Sequence, residues 1–166
     1  MNRNSIVSHY LLSIDQMDAY INDLSDSDIK KVFEPMNCIG WLLGHCSYYN
    51  FSIANKIHDK DIPDEAKNYM NGSPHSTPSL DEIKYLWNHS TDVVKDSLSK
   101  LDEVDLKDKF TAEFKHGSET EKINLGTDIS RLIFHLWNHL GEIAAVRQLL
   151  GKTPGNPGYG KWDWRY

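Results

Sequence analysis

Eight histidines occur in the 166-residue chain, and two of them, His135 and His139, stand four apart in a segment of helical period. Residues four apart on a helix lie one turn above each other, with Cβ atoms about 5–6 Å apart, so their ring nitrogens can converge on one divalent ion. Such a pair also arises by chance on solvated faces, which leaves its surroundings to decide. A buried imidazole needs a partner for each ring nitrogen, and a helix with its backbone already paired supplies few. A metal ion would satisfy one nitrogen on each ring.

A firm site needs a third ligand, and the candidates are His9, His45, His58, His75, His89 and His116. His45 is the best placed, because it lies in the apolar run GWLLGHCSYY, one turn beyond Trp41, and borders the inward stripe of its helix. Gly40 and Gly44 precede it. Each costs about 1 kcal/mol relative to Ala inside a helix, which calls for a structural reason such as a close helix approach. His89 follows Leu86 by three and reads as an isolated structural histidine. Cys46 adjoins His45 but points about 100° away around the helix, so it reads as a packed thiol. Trp41, Tyr49 and Trp137 are candidates for lining a substrate pocket, although aromatic residues at such positions also serve as plain core.

Four helices must carry these residues. Ile6, Tyr10, Ile14, Met17, Ile21 and Leu24 step at helical period and predict a first helix over about 4–25. Asn37 is a candidate cap for a second over about 38–58, in which Ile39, Leu42, Cys46, Tyr49, Ile53 and Ile57 repeat the rhythm. Residues 59 to 78, with three prolines and a glycine, read as a long connection. Ser79 and Glu82 form a capping-box sequence ahead of a third helix over about 80–101. Alternation on either side of KHGSE predicts a short hairpin between 107 and 125. A fourth helix follows over about 128–150, with Thr127 as N-cap and Gly151 at its end, and its inward stripe reads Leu132, His135, His139, Ile143, Val146 and Leu150. The tail 151–166 is rich in Gly and Pro, yet Tyr159, Trp162, Trp164 and Tyr166 suggest that it packs on something.

A chain of this length is expected to fold as one domain with a sizeable core. A net charge of −6, with no Lys/Arg cluster, argues against nucleic acid and anionic lipid as partners. Cys38 and Cys46, eight apart, match no CxxC pattern and are expected to be reduced and buried. With no signal-peptide pattern and no run of about 20 apolar residues, the expectation is a soluble cytoplasmic protein without a membrane span.

The segments NCIGWLLGHCSYYNFSIANKI and HLWNHLGEIAAVRQLLG resemble the two diagnostic segments of the DinB/YfiT-like superfamily. In that superfamily a histidine ending an SIGWLLGH-like segment joins an H-x-x-x-H pair that begins an HxxxHxGQI-like segment. The resemblance places the ligands at His45, His135 and His139, and implies an all-α four-helix bundle of up-down-down-up topology. It further implies zinc or nickel as the ion and a homodimer as the assembly. The two segments cover about a quarter of the chain. Glu142 departs from the pattern, standing where many relatives carry Gln. Three residues after His139, its carboxylate can orient a ligand imidazole, act as a fourth ligand, serve as a general base, or simply sit on the helix surface.

Three neutral imidazoles, with water in the remaining positions, make an open site of the catalytic type, and nitrogen ligands by themselves do not select among Zn(II), Ni(II), Cu(II) and Fe(II). Characterised relatives include S-transferases that use bacillithiol, mycothiol or glutathione, so the favoured expectation is a metal-dependent transferase joining a low-molecular-weight thiol cosubstrate to a small electrophile. The alternatives are a metal-dependent hydrolase and a non-catalytic bundle that binds metal or a small ligand. No nucleophile constellation or glycine-rich phosphate loop supports metal-free catalysis.

Overall fold

The computed structural model describes residues 5–116 and 118–152. Four long helices dominate: α1 (Ser5–Ile21), α3 (Ile39–His58), α5 (Leu80–Ser99) and α7 (Leu125–Leu149). Three short ones, α2 (Asp26–Lys30), α4 (Asp64–Lys67) and α6 (Glu103–Asp108), lie in the connections. The hairpin predicted between 107 and 125 is present as β1 (Phe110–His116) paired antiparallel with β2 (Glu119–Asn124).

Residue pairs across the interfaces establish the helix directions. Gly40 lies against Pro78, Asn50 bonds Ser90, and Lys60 pairs with Asp96, so α3 and α5 run parallel. The last turn of α7 meets the end of α1 through Arg147, whose guanidinium donates to the Tyr20 carbonyl and to Asp23. Those two helices are therefore parallel as well. Lys56, near the end of α3, pairs with Asp128 in the first turn of α7, so α3 and α7 are antiparallel. The result is the up-down-down-up bundle. The long connection is what permits parallel neighbours, since a tight turn can only reverse the chain.

The inward faces share a buried cluster that includes Ile14, Met17, Ile53, Val94, Ile129 and Ile143. A polar chain crosses it. Tyr10 donates to Asn50 at 2.8 Å, Asn50 donates to Ser90 at 3.2 Å, and Ser90 donates to the Trp87 carbonyl at 2.9 Å. Each buried group thereby finds a partner, as burial demands. Burial pushes the Tyr10 hydroxyl far above its ordinary range, so it remains a donor.

Several local expectations are corrected. The first helix stops at Ile21 rather than near 25, because Ser25 and Asp28 form a capping box that starts α2. Cys38, not Asn37, caps α3: its sulfur accepts the Trp41 N–H at 3.4 Å. Asn124, not Thr127, caps α7 by accepting the Thr127 N–H at 2.9 Å, so the helix starts directly from β2. Asp102 and Asp105 box the start of α6, an element the periodicity did not reveal. Both cysteines are free and buried. Among the described residues no helix is long and apolar enough to cross a membrane. The aromatic tail from 153 onward lies outside the described residues.

Candidate metal centre

The inward stripe of α7 is made by Ile129, Leu132, Leu136, Leu140, Ile143 and Val146, all buried. His135 and His139 do not replace leucines in that stripe, as the sequence suggested. They border it, half-buried, on the side facing α3. Steps of three and four residues admit two adjacent stripes on one helix, and periodicity alone does not separate them.

His45 projects from α3 into the same space and is only 6% exposed. Its ring centroid lies 5.1 Å from that of His135 and 4.9 Å from that of His139, while the α7 pair are 4.4 Å apart. One ligand atom from each of the three falls within 4.8 Å of the others. The Nε2 atoms of His135 and His139 are separated by 3.0 Å. Two nitrogens bound at about 2.1 Å to one ion sit roughly 3.0–3.4 Å apart, depending on geometry, so this spacing suits a shared cation.

Hydrogen bonds assign the protons on two of the rings. A carbonyl oxygen only accepts, so His45 Nδ1, 2.6 Å from the Tyr69 carbonyl, must be the donor. Glu142 Oε2 lies 2.8 Å from His139 Nδ1, and an ionised carboxylate likewise only accepts. A neutral ring protonated at Nδ1 carries its lone pair at Nε2, the nitrogen that a cation would take. His135 Nδ1 is buried and has no partner. A proton on either Nε2 bridges the 3.0 Å gap as a hydrogen bond, and a cation bound by both nitrogens would take that proton's place. The residues present thus fit a divalent ion.

Electrostatics agree with ligand duty, which requires neutral imidazoles. Burial depresses the His45 pKa, and the bond to Tyr69 opposes this only in part. His135 is pushed down to about 4, by burial first and then by the neighbouring His139 and His45. Burial drives the Cys46 thiol far upward, which keeps it a packed, unreactive group.

Residues 9–143 match the DinB superfamily, which is more than half of the chain. The chain belongs to the DinB superfamily. A search of curated proteins found none that matches it. In this DinB superfamily member the three-histidine group could hold a metal ion.

The other expected site residues separate. Trp41 stacks on His45 at 5.0 Å with an interplanar angle of 16°. Tyr49 meets His45 edge-on at 5.0 Å and His135 at 4.3 Å. Trp137 stands two residues from each α7 histidine, roughly 160° around the helix, and packs against the hydrophobic core instead. His89 is set against Phe51 at 5.1 Å, away from the trio. Glu142 borders a small cavity of about 190 Å³ with Pro35, Met36, Asn37 and Leu42. A larger groove of about 720 Å³ runs along the connection and the start of α5, lined by Tyr69, His75 and Tyr85, and none of the three histidines lines it.

Tyr69 is the residue that sequence reasoning missed. Its ring lies where a Cβ on Gly44 would sit, 2.5 Å from the nearest ring atom. The close approach that Gly44 signalled is therefore made by the connection and not by a helix. The two glycines marked the face, but nothing in the sequence named the group covering it.

Proposed function

We propose that this DinB superfamily member is a metal-dependent enzyme that joins a low-molecular-weight thiol to a small electrophile. The observation that carries the reading is the convergence of three imidazoles, two of them with an oxygen acceptor set at Nδ1. His45, His135 and His139 are the residues to hold one divalent ion, zinc or nickel by the family resemblance. Such an ion supplies a Lewis acid that lowers the pKa of a thiol or a water at neutral pH.

The chain's own groups have the following roles. Glu142 accepts a hydrogen bond from His139 Nδ1 and so fixes that ring's orientation, which favours an orienting role over those of fourth ligand or free base. Its side chain is 43% exposed, so the other carboxylate oxygen remains in reach of the adjoining cavity. Trp41 covers one face of His45 and excludes water from it. Tyr49 walls the opposite approach between His45 and His135. Met36 and Leu42 give an apolar wall to the cavity beside Glu142, which links it to His139 and makes it the candidate seat for the electrophile. In the reaction the thiol gives up its proton to solvent, a sulfur–carbon bond forms, and the bond to the leaving group breaks with its electron pair.

The test supplies metal-loaded protein with glutathione, bacillithiol or cysteine and a chromogenic electrophile, beside ester and amide substrates without thiol. Thiol-dependent turnover that disappears in His135→Ala is expected. Thiol-independent ester or amide turnover abolished by the same substitution identifies a hydrolase. Silence across both panels at full metal occupancy identifies a binding module.

A further inference from the structure

The connection between α3 and α5 touches α3 at a series of points, and these gather around His45. The Tyr69 carbonyl accepts from His45 Nδ1 at 2.6 Å. The Trp41 indole, stacked on the His45 ring, donates to the Pro74 carbonyl at 3.2 Å. Nearer the start of α3, the Cys38 thiol donates to the Ser76 carbonyl and the Cys38 N–H donates to His75 Nε2, each at 3.4 Å. Pro78 closes on Gly40, where an added Cβ would come within 3.1 Å of its ring. One segment thus supplies the acceptor for the His45 ring and holds the Trp41 indole stacked on it.

We propose that residues 59–79 form a strap that positions His45, with the Tyr69 ring on Gly44 as its lock. Tyr69 is a positioning residue and acts through its main chain. The proposal rests on the reading of His45 as a metal ligand for its effect on affinity, but not for its effect on the ring. A free neutral imidazole populates both tautomers, and only the one protonated at Nδ1 presents a lone pair at Nε2. A carbonyl held at Nδ1 selects that tautomer before any ion arrives. The carbonyl keeps its place because the Tyr69 ring lies flat against a helix position that has no side chain.

The test uses the full chain. Long-range proton–nitrogen correlation of the imidazole rings in metal-free, nitrogen-15-labelled protein reports the tautomer, and Co(II) titration followed by d–d absorption reports affinity. Wild type is expected to show His45 in a single Nδ1-protonated tautomer. Gly44→Ala drives the Tyr69 ring off α3, so a mixture of tautomers and a weakening of Co(II) binding by roughly 10- to 100-fold are expected. Tyr69→Ala loses the lock but keeps the carbonyl, so a partial mixture of tautomers and a few-fold weakening are expected, and Gly44→Ala/Tyr69→Ala, relieved of the clashing ring, is expected to match it. Trp41→Phe retains a ring against His45 but loses the bond to Pro74, and a smaller, few-fold weakening is expected. A folded Gly44→Ala with wild-type tautomer and affinity overturns the proposal. Should Gly44→Ala not fold, wild-type tautomers in both Tyr69→Ala and Trp41→Phe overturn it instead. Should wild type bind no ion, the metal-site reading fails and the tautomer measurements alone decide the strap.

Discussion

The Nε2 atoms of His135 and His139 lie 3.0 Å apart, closer than two unprotonated nitrogens tolerate without a proton or a cation between them. One turn of α7 creates this contact, and His45 closes the third side from α3. His139→Ala is therefore expected to lower Zn(II) or Co(II) content of the purified protein to a small fraction of wild type, with His45→Ala and His135→Ala close behind. His89→Ala, whose ring sits against Phe51, is expected to retain full occupancy. Elemental analysis of the four variants checks this, and equal metal in all of them removes the site.

The bond from His139 Nδ1 to Glu142 fixes a ring whose other nitrogen faces the trio. Glu142→Leu deletes the acceptor and is expected to weaken metal binding about tenfold or more. Glu142→Gln keeps an acceptor oxygen but loses the charge, so it is expected to lie between Leu and wild type. Calorimetric titration of the three proteins gives the order, and a Gln variant weaker than Leu contradicts the orienting role.

Arg147 is 2% exposed and ties the end of α7 to the end of α1 through the Tyr20 carbonyl and both oxygens of Asp23. Arg147→Met retains most of the apolar stem but leaves that carbonyl without its donor. The expected loss is about 2 kcal/mol, measured by urea unfolding. Asp23→Asn is expected to cost less, because its side chain is 61% exposed and water can replace the lost charge.

Tyr10, Asn50 and Ser90 form a hydrogen-bonded chain across three helices. Tyr10→Phe and Ser90→Ala are each expected to cost about 1 kcal/mol, whereas Asn50→Leu strands the Tyr10 hydroxyl, removes the donor to Ser90 and is expected to cost about 3 kcal/mol. Adding Tyr10→Phe to Asn50→Leu is expected to cost less than the sum, because the stranded hydroxyl is gone. A double-mutant cycle reads the difference, and strict additivity contradicts a connected chain.

Asp28 bonds Lys152 and the Ser25 hydroxyl and backbone, and these interactions hold its carboxyl down at about 2, against an ordinary 3.8. The folded chain keeps this group ionised at a pH where the unfolded chain takes up a proton. Its contribution is therefore complete above about pH 4 and is lost as pH falls toward 2. Solvent screening limits the effect to about 1 kcal/mol. Asp28→Asn is expected to be less stable than wild type at pH 6, with the gap narrowing between pH 4 and 2, as thermal unfolding across that range will show.

Much of this protein is legible in its residues taken in order. Repeats of three and four predicted the four long helices, because an amphipathic face must recur at that period to be buried. Alternation around KHGSE predicted the hairpin. The pairing of His135 with His139 follows from helical pitch alone, and the glycines before His45 announced that something approaches α3 closely. Other features were settled only when distant segments met. Periodicity did not reveal that the α7 histidines lie beside the leucine stripe, because adjacent stripes share the same steps. Trp137 looked like a neighbour of the site by its number and is turned to the core by helical rotation. The protons on His45 and His139 are assigned by a carbonyl 24 residues away and a carboxylate one turn away. Local sequence sets which groups a helix can present, since pitch and propensity act over a few residues. Which nitrogen of an imidazole remains free depends on the acceptor that reaches the other one, and for His45 only the packed fold brings it.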